Sequence, residues 1–193
     1  MLSSKAVLAD QEIVILMLGD SLTAGYGLPQ DYTIPSRLER ALKKQNINVR
    51  VINGGVSGDT SAGGRSRLSW LIDPLPTALI VELGANDGLR GIDPKSTFSN
   101  LDYILRKSKA VGLKVLLTGM RAPPNLGQEY GREFLNIFPI LAEKYQTLFY
   151  PFFLEGVAAK SIFNQDDGIH PNKEGVDVIV GKIIPIVKRL IKK

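Results

Sequence analysis

Ile13–Leu18 reads IVILML and runs directly into Gly19-Asp20-Ser21-Leu22-Thr23-Ala24-Gly25. A short, continuous apolar run rich in aliphatic and β-branched residues, closed by a glycine, reads as a strand buried on both faces. Similar runs follow at Val49–Asn53 (VRVIN), Ala78–Leu83 (ALIVEL), Leu113–Thr118 (LKVLLT) and Thr147–Tyr150 (TLFY). Between them the periodicity changes to a helical one. Ile34–Gln45 puts Ile34, Leu38, Ala41 and Leu42 on one face, and Thr97–Ala110 does so with Leu101, Ile104 and Leu105. Glu133–Lys144 carries Phe134, Ile137, Phe138 and Leu141, and Pro139 is expected to start or kink that helix. Glu174–Leu190 closes the pattern, with a bend expected at Pro185. Strands alternating with helices predict an α/β domain built on a parallel sheet with right-handed crossovers.

The chain has 193 residues, enough for one domain that buries roughly 70% of its unfolded surface. A single domain is therefore expected over residues 13–193, with no internal repeat or linker. Met1–Ala9 reads MLSSKAVLA, and Val7-x-Ala9 has the small-residue spacing of a leader cleavage site. Residues 1–12 are thus expected to be a leader remnant or a short arm. With 44% hydrophobic and 22% charged residues the chain is an ordinary globular one. It has no cysteine, which excludes disulfide scaffolds, thiolate metal sites and cysteine nucleophiles. With one histidine, His170, a catalytic zinc site of the usual three-ligand kind would need two carboxylates beside it. The net charge of +5 is spread over helix-like segments, so solvated faces are expected rather than a nucleic-acid surface. No run of 18 apolar residues is present, so no transmembrane helix is expected.

Parallel sheets place ligands at the carboxyl ends of their strands. Ser21 follows the first strand, where a hydroxyl can project over the sheet edge or merely cap a helix. The second glycine of a Gly-x-Ser-x-Gly elbow is absent, because Thr23 stands there. After the second strand comes Gly54-Gly55-Val56-Ser57-Gly58-Asp59-Thr60, whose glycines let a backbone N–H approach a ligand closely. A phosphate cradle competes with that reading, although no P-loop or dinucleotide fingerprint is present. After the third strand, Gly84-Ala85-Asn86-Asp87-Gly88 offers a neutral amide donor or a turn. Near the C-terminus, Asp166-Asp167-Gly168-Ile169-His170-Pro171-Asn172 sets a carboxylate three residues before the histidine, close enough to fold back onto one ring nitrogen. Pro171 and Asn172 suit the start of a last helix.

In chain order these segments read Gly-Asp-Ser-Leu, Gly, Gly-x-Asn-Asp and Asp-x-x-His. The stretches GDSLTAGYG, SGDTSAGG, ELGANDGLRG and QDDGIHPN resemble the SGNH (GDSL) hydrolases from about Ile13 to Asn172. Within that family the chain is most similar to the thioesterase I/protease I/lysophospholipase and arylesterase branch. The resemblance implies a flavodoxin-like, three-layer α/β/α fold on a five-stranded parallel sheet. It also implies a catalytic Ser21, Asp167 and His170, and an oxyanion hole made of the Ser21 N–H, the Gly58 N–H and the Asn86 amide. Asp166 is expected to face solvent. The implied activity is hydrolysis of acyl esters and thioesters through an acyl-enzyme, on a small-molecule or lipid substrate, without cofactor or metal. A periplasmic location goes with that branch, and a cytoplasmic one stays open.

Substrate choice is expected from the loops around this centre: Leu89, Pro123 and Leu126 as lining of an acyl groove, and Arg90 or Arg121 toward an anionic head group. Two other readings stay open, a carbohydrate O-deacetylase on the same fold and a non-catalytic flavodoxin-like binding module.

Overall fold

The computed structural model describes residues 11–192. The arm expected at residues 1–12 thus lies, but for Gln11 and Glu12, outside the described residues. Strands β1 (Ile13–Gly19), β2 (Val49–Gly55), β3 (Ala78–Glu82), β4 (Lys114–Thr118) and β5 (Leu148–Tyr150) pair in parallel, in the order β2-β1-β3-β4-β5. That is the flavodoxin-like order, and its switch point lies between β1 and β3. The apolar runs sit where their composition demands. Leu16, Leu18, Ile80 and Val81 are fully buried in the two strands at that switch point, each such side chain contributing about 1.5–3 kcal/mol.

The helices are α1 (Ser21–Ala24), α2 (Ile34–Lys43), α3 (Ser61–Leu71), α4 (Ala85–Leu89), α5 (Pro94–Ala110), α6 (Gln128–Tyr145) and α7 (Lys173–Ile191). Right-handed crossovers put α2 on the face of the sheet opposite α3, α5 and α6. Helix α7 returns to pack beside α2, and α5 lies between α3 and α6, completing three layers. No helix among the described residues is long and apolar enough to cross a membrane.

The expectation that Pro139 starts its helix needs correction. Pro139 and Pro185 lie inside α6 and α7, and neither starts nor ends its helix. Each is exposed, and so are Leu135 and Gly181, four residues earlier, whose carbonyls lose the intrahelical donor. Exposure leaves those carbonyls open to solvent, where the missing intrahelical bond is tolerated. Helix α3 has no counterpart in the sequence reading, because SAGGRSRLSWL holds two glycines and no apolar stripe. It forms because Thr60 caps its first turn and Gly64 lets it approach the sheet, where a β-carbon would overlap Leu83.

Candidate active site

The site is assembled from the ends of β1, β2 and β3 and from one loop that follows β5. At the end of β1 the side chain of Asp20 accepts the Leu22 N–H at 3.0 Å and so caps α1. Ser21 becomes the first residue of that short helix, where an N–H has no intrahelical acceptor. Gly19 pairs with Glu82 across the sheet, and a β-carbon here would overlap the Thr23 hydroxyl and lie 2.6 Å from Glu82 Oε2. Glu82 lies wholly buried beneath the turn. Its Oε2 accepts from the Thr23 hydroxyl at 2.8 Å and the Asp20 N–H at 3.3 Å. Burial, and then the neighbouring Asp20 charge, push the Glu82 carboxyl well above the ordinary range. Burial likewise raises the Asp20 carboxyl to about 6, against the opposing hydrogen bonds from Leu22 and Asn86.

Beyond β2 the chain turns through Gly58, whose φ of 83° favours glycine. Its N–H has no acceptor among the described residues. Asn86 lies on α4 directly after β3. Its Nδ2 donates to the Asp59 carbonyl at 2.9 Å and, over a longer 3.3 Å, to Asp20 Oδ2. Asp87, beside it, is buried and accepts from the Ser61 N–H at 2.8 Å, from the Ser61 hydroxyl, and from the Thr97 hydroxyl at 3.0 Å. The asparagine is thereby bound through its neighbour to the starts of α3 and α5.

His170 sits in a loop closed by backbone bonds from Gln165 N–H to the His170 carbonyl and from Gly168 N–H to the Gln165 carbonyl. Its Nε2 lies 2.9 Å from Ser21 Oγ and its Nδ1 2.6 Å from Asp167 Oδ2. Asp167 Oδ1 also accepts the N–H groups of Ile169 and His170 at 2.8 and 2.9 Å. These bonds, from the His170 backbone and ring first, hold the Asp167 carboxyl at about 2. An ionised carboxylate can only accept, so Nδ1 carries the proton and Nε2 keeps its lone pair toward the serine. Asp166 is exposed, as expected. The Tyr26 ring tilts over the imidazole with centroids 4.6 Å apart, and Gln165 Nε2 ties the Tyr26 carbonyl (2.8 Å) to the Pro171 carbonyl (3.0 Å). Tyr26 and Gln165 escaped the sequence reading, although both lie inside the quoted stretches.

The residues expected to border the site are brought together only in part. Ala122 lies against Gly88 and Leu126 against Gly91, so the loops after β3 and β4 do abut. Leu89 is half exposed. Arg90 Nη2 donates to the Gly58 carbonyl at 2.9 Å, while Arg121 stacks on Phe152 at 4.3 Å. Pro123 precedes a short 3₁₀ turn at Pro124–Leu126 and is partly buried.

Residues 17–178 match the GDSL-like lipase/acylhydrolase family. The chain is 46% identical over 161 residues to the arylesterase of Vibrio mimicus, covering 83% of this chain and 80% of that one. It is 41% identical over 175 residues to the thioesterase 1/protease 1/lysophospholipase L1 of Escherichia coli K12, covering 90% and 81% respectively. The crystal structure of AlinE4, an SGNH-hydrolase family esterase, superposes with a TM-score of 0.80 at 45% identity, over 96% of this chain and 100% of that one.

Proposed function

This chain belongs to the GDSL-like lipase/acylhydrolase family, and from that premise we propose that Ser21, His170 and Asp167 carry out its hydrolysis of acyl esters and thioesters. The protein is a carboxylic ester hydrolase of the arylesterase and thioesterase kind. The observation that supports the assignment is the relay from Ser21 Oγ through His170 (2.9 Å) to Asp167 (2.6 Å).

In this reading the Ser21 hydroxyl gives its proton to Nε2 as Oγ bonds to the acyl carbon, and the carbonyl oxygen becomes an oxyanion. Asp167 fixes the ring and stabilises the imidazolium; it does not take the proton. The Ser21 N–H, the Gly58 N–H and the Asn86 amide stabilise the oxyanion, with donors set in place before the reaction begins. The Asn86 bond to Asp59 fixes the amide plane, and the N–H that makes only the long bond to Asp20 is the one offered to the substrate. Collapse of the intermediate breaks the bond to the alkoxide or thiolate, which takes the proton from Nε2. Water then repeats the sequence on the acyl-serine and releases the acid. Leu89, Pro123 and Leu126 would line the acyl side, and Arg90, hydrogen-bonded to the Gly58 carbonyl, would meet an anionic head group. A periplasmic location belongs to the same proposal, and osmotic-shock fractionation tests it.

A p-nitrophenyl ester series with acyl-CoA thioesters, run beside acetylated sugars, tests substrate class. A fluorophosphonate should label Ser21 and stop turnover. An adduct on Ser57 or Ser61 instead would overturn the assignment.

A further inference from the structure

Arg67 is a charged residue of α3 that is 8% exposed and touches neither Ser21, His170 nor Asp167. Desolvating a guanidinium costs several kcal/mol, so it stays buried only where its donors are well used. Here Nε donates to Asp59 Oδ2 at 2.6 Å, Nη1 to the Gly54 carbonyl at 2.6 Å and Nη2 to the Gly19 carbonyl at 2.8 Å. Those acceptors are not scattered. Gly19 ends β1 two residues before Ser21. Gly54 lies near the end of β2, on the approach to Gly58. Asp59 follows Gly58, and its carbonyl is the acceptor that orients the Asn86 amide at 2.9 Å.

We propose that Arg67 is the positioning residue of the oxyanion hole: one planar guanidinium fixes the three backbone segments that set the Ser21, Gly58 and Asn86 donors relative to each other. The inference rests on the proposed roles of those three donors. The guanidinium fork is rigid and places its N–H groups in one plane, so the three acceptors are held at fixed separations. A lysine at this position keeps the charge but not the plane, and its single nitrogen cannot reach three acceptors spread along a fork. A role limited to solvating strand-end carbonyls would lower stability and leave turnover per folded molecule unchanged. Positioning has another signature, since misplacement by about 1 Å costs on the order of 10²-fold in rate.

The test uses Arg67→Lys and Arg67→Ala, with the folded fraction of each measured by circular dichroism. With p-nitrophenyl butyrate, Arg67→Lys should lose roughly 10- to 100-fold in kcat with KM within about twofold. Affinity for a trifluoromethyl ketone, which forms an oxyanion on the serine, should fall by a similar factor. Methylguanidinium should restore part of the kcat of Arg67→Ala. Without any substrate, the Gly58 amide and Asn86 side-chain resonances of folded Arg67→Lys should shift from their wild-type positions. Unmoved resonances, or a kcat that falls only with the folded fraction, would overturn the proposal. A wild-type protein that cleaves no ester would sink the functional reading instead, and the resonances would still decide the positioning role. If Arg67→Ala does not fold, Arg67→Lys carries the test alone.

Discussion

Replacing Asp167 by asparagine changes one atom and reverses a proton. In the wild type Oδ1 accepts the Ile169 and His170 N–H groups while Oδ2 faces His170 Nδ1 at 2.6 Å. In Asp167→Asn the side-chain oxygen keeps the two backbone bonds, so the loop retains its shape, and the new NH₂ faces Nδ1. Nδ1 must then accept, the ring proton moves to Nε2, and the nitrogen 2.9 Å from Ser21 can no longer take the hydroxyl proton. Loss of the charge-assisted bond alone, about 1.5–3 kcal/mol, gives roughly 10- to 150-fold in kcat. The wrong tautomer can extend this toward about 10⁴, as in the serine-protease triad. The side chain of Asp167 is 37% exposed, so water competes for the ring and the expected loss lies nearer the lower bound. Asp166 is exposed, and Asp166→Asn should stay within about threefold of wild type. The assay is kcat on p-nitrophenyl butyrate for both variants, each shown to be folded, with proton NMR of the imidazole N–H to report the tautomer. Full kcat in Asp167→Asn, or a crippled Asp166→Asn beside it, would refute the register of this relay.

Two other perturbations test different parts of the site. Asn86→Ala should lower kcat by about 10²–10³ with KM little changed; steady-state kinetics that keep the wild-type kcat would return Asn86 to a turn-closing role. Burial raises the Asp20 carboxyl to about 6, against about 3.9 in an unfolded chain. Between those values the folded protein holds a proton that the unfolded chain has released, so the Asp20 contribution to stability should fall as pH rises from about 4 to about 6, and the buried Glu82 carboxyl, raised in the same direction, adds its own decline. Asparagine caps helices as well as aspartate does, so urea unfolding of Asp20→Asn should show a flatter slope over that window; an unchanged slope would mean another group is responsible.

What the sequence made legible was whatever local pattern alone decides. IVILML and ALIVEL read as strands buried on both faces. The residues after the strands, read alone, leave a helix cap at Ser21, a phosphate cradle at Gly54–Thr60 and a turn at Asn86 open, and only the resemblance to the SGNH family implies their roles. Buried charge was not legible. Arg67 sits within a glycine-rich stretch, and nothing in its neighbourhood says that the side chain points inward. Only the packing of α3 against the ends of β1 and β2 shows a guanidinium bonded to those strand ends. Helix α3 was missed for the related reason that its stability comes from a close approach to Leu83 through Gly64. The start of α5 was readable in principle, since Asp93 followed by Pro94 is a cap and a first-turn proline.

Ser21 and His170 meet across 149 residues of chain. The serine, its turn and β1 are made first, while the histidine loop follows the edge strand β5 and is held by the docking of α7, the last helix. Contacts this distant in sequence close late, because the intervening loop entropy must be overcome before they are rewarded. During synthesis, then, the proposed nucleophile leaves the ribosome long before its proposed base exists, and a chain interrupted ahead of residue 170 carries Ser21 without His170. Under the proposed roles such fragments should be inert toward esters, and hydrolysis is acquired only once residue 170 has been made and docked beside Ser21.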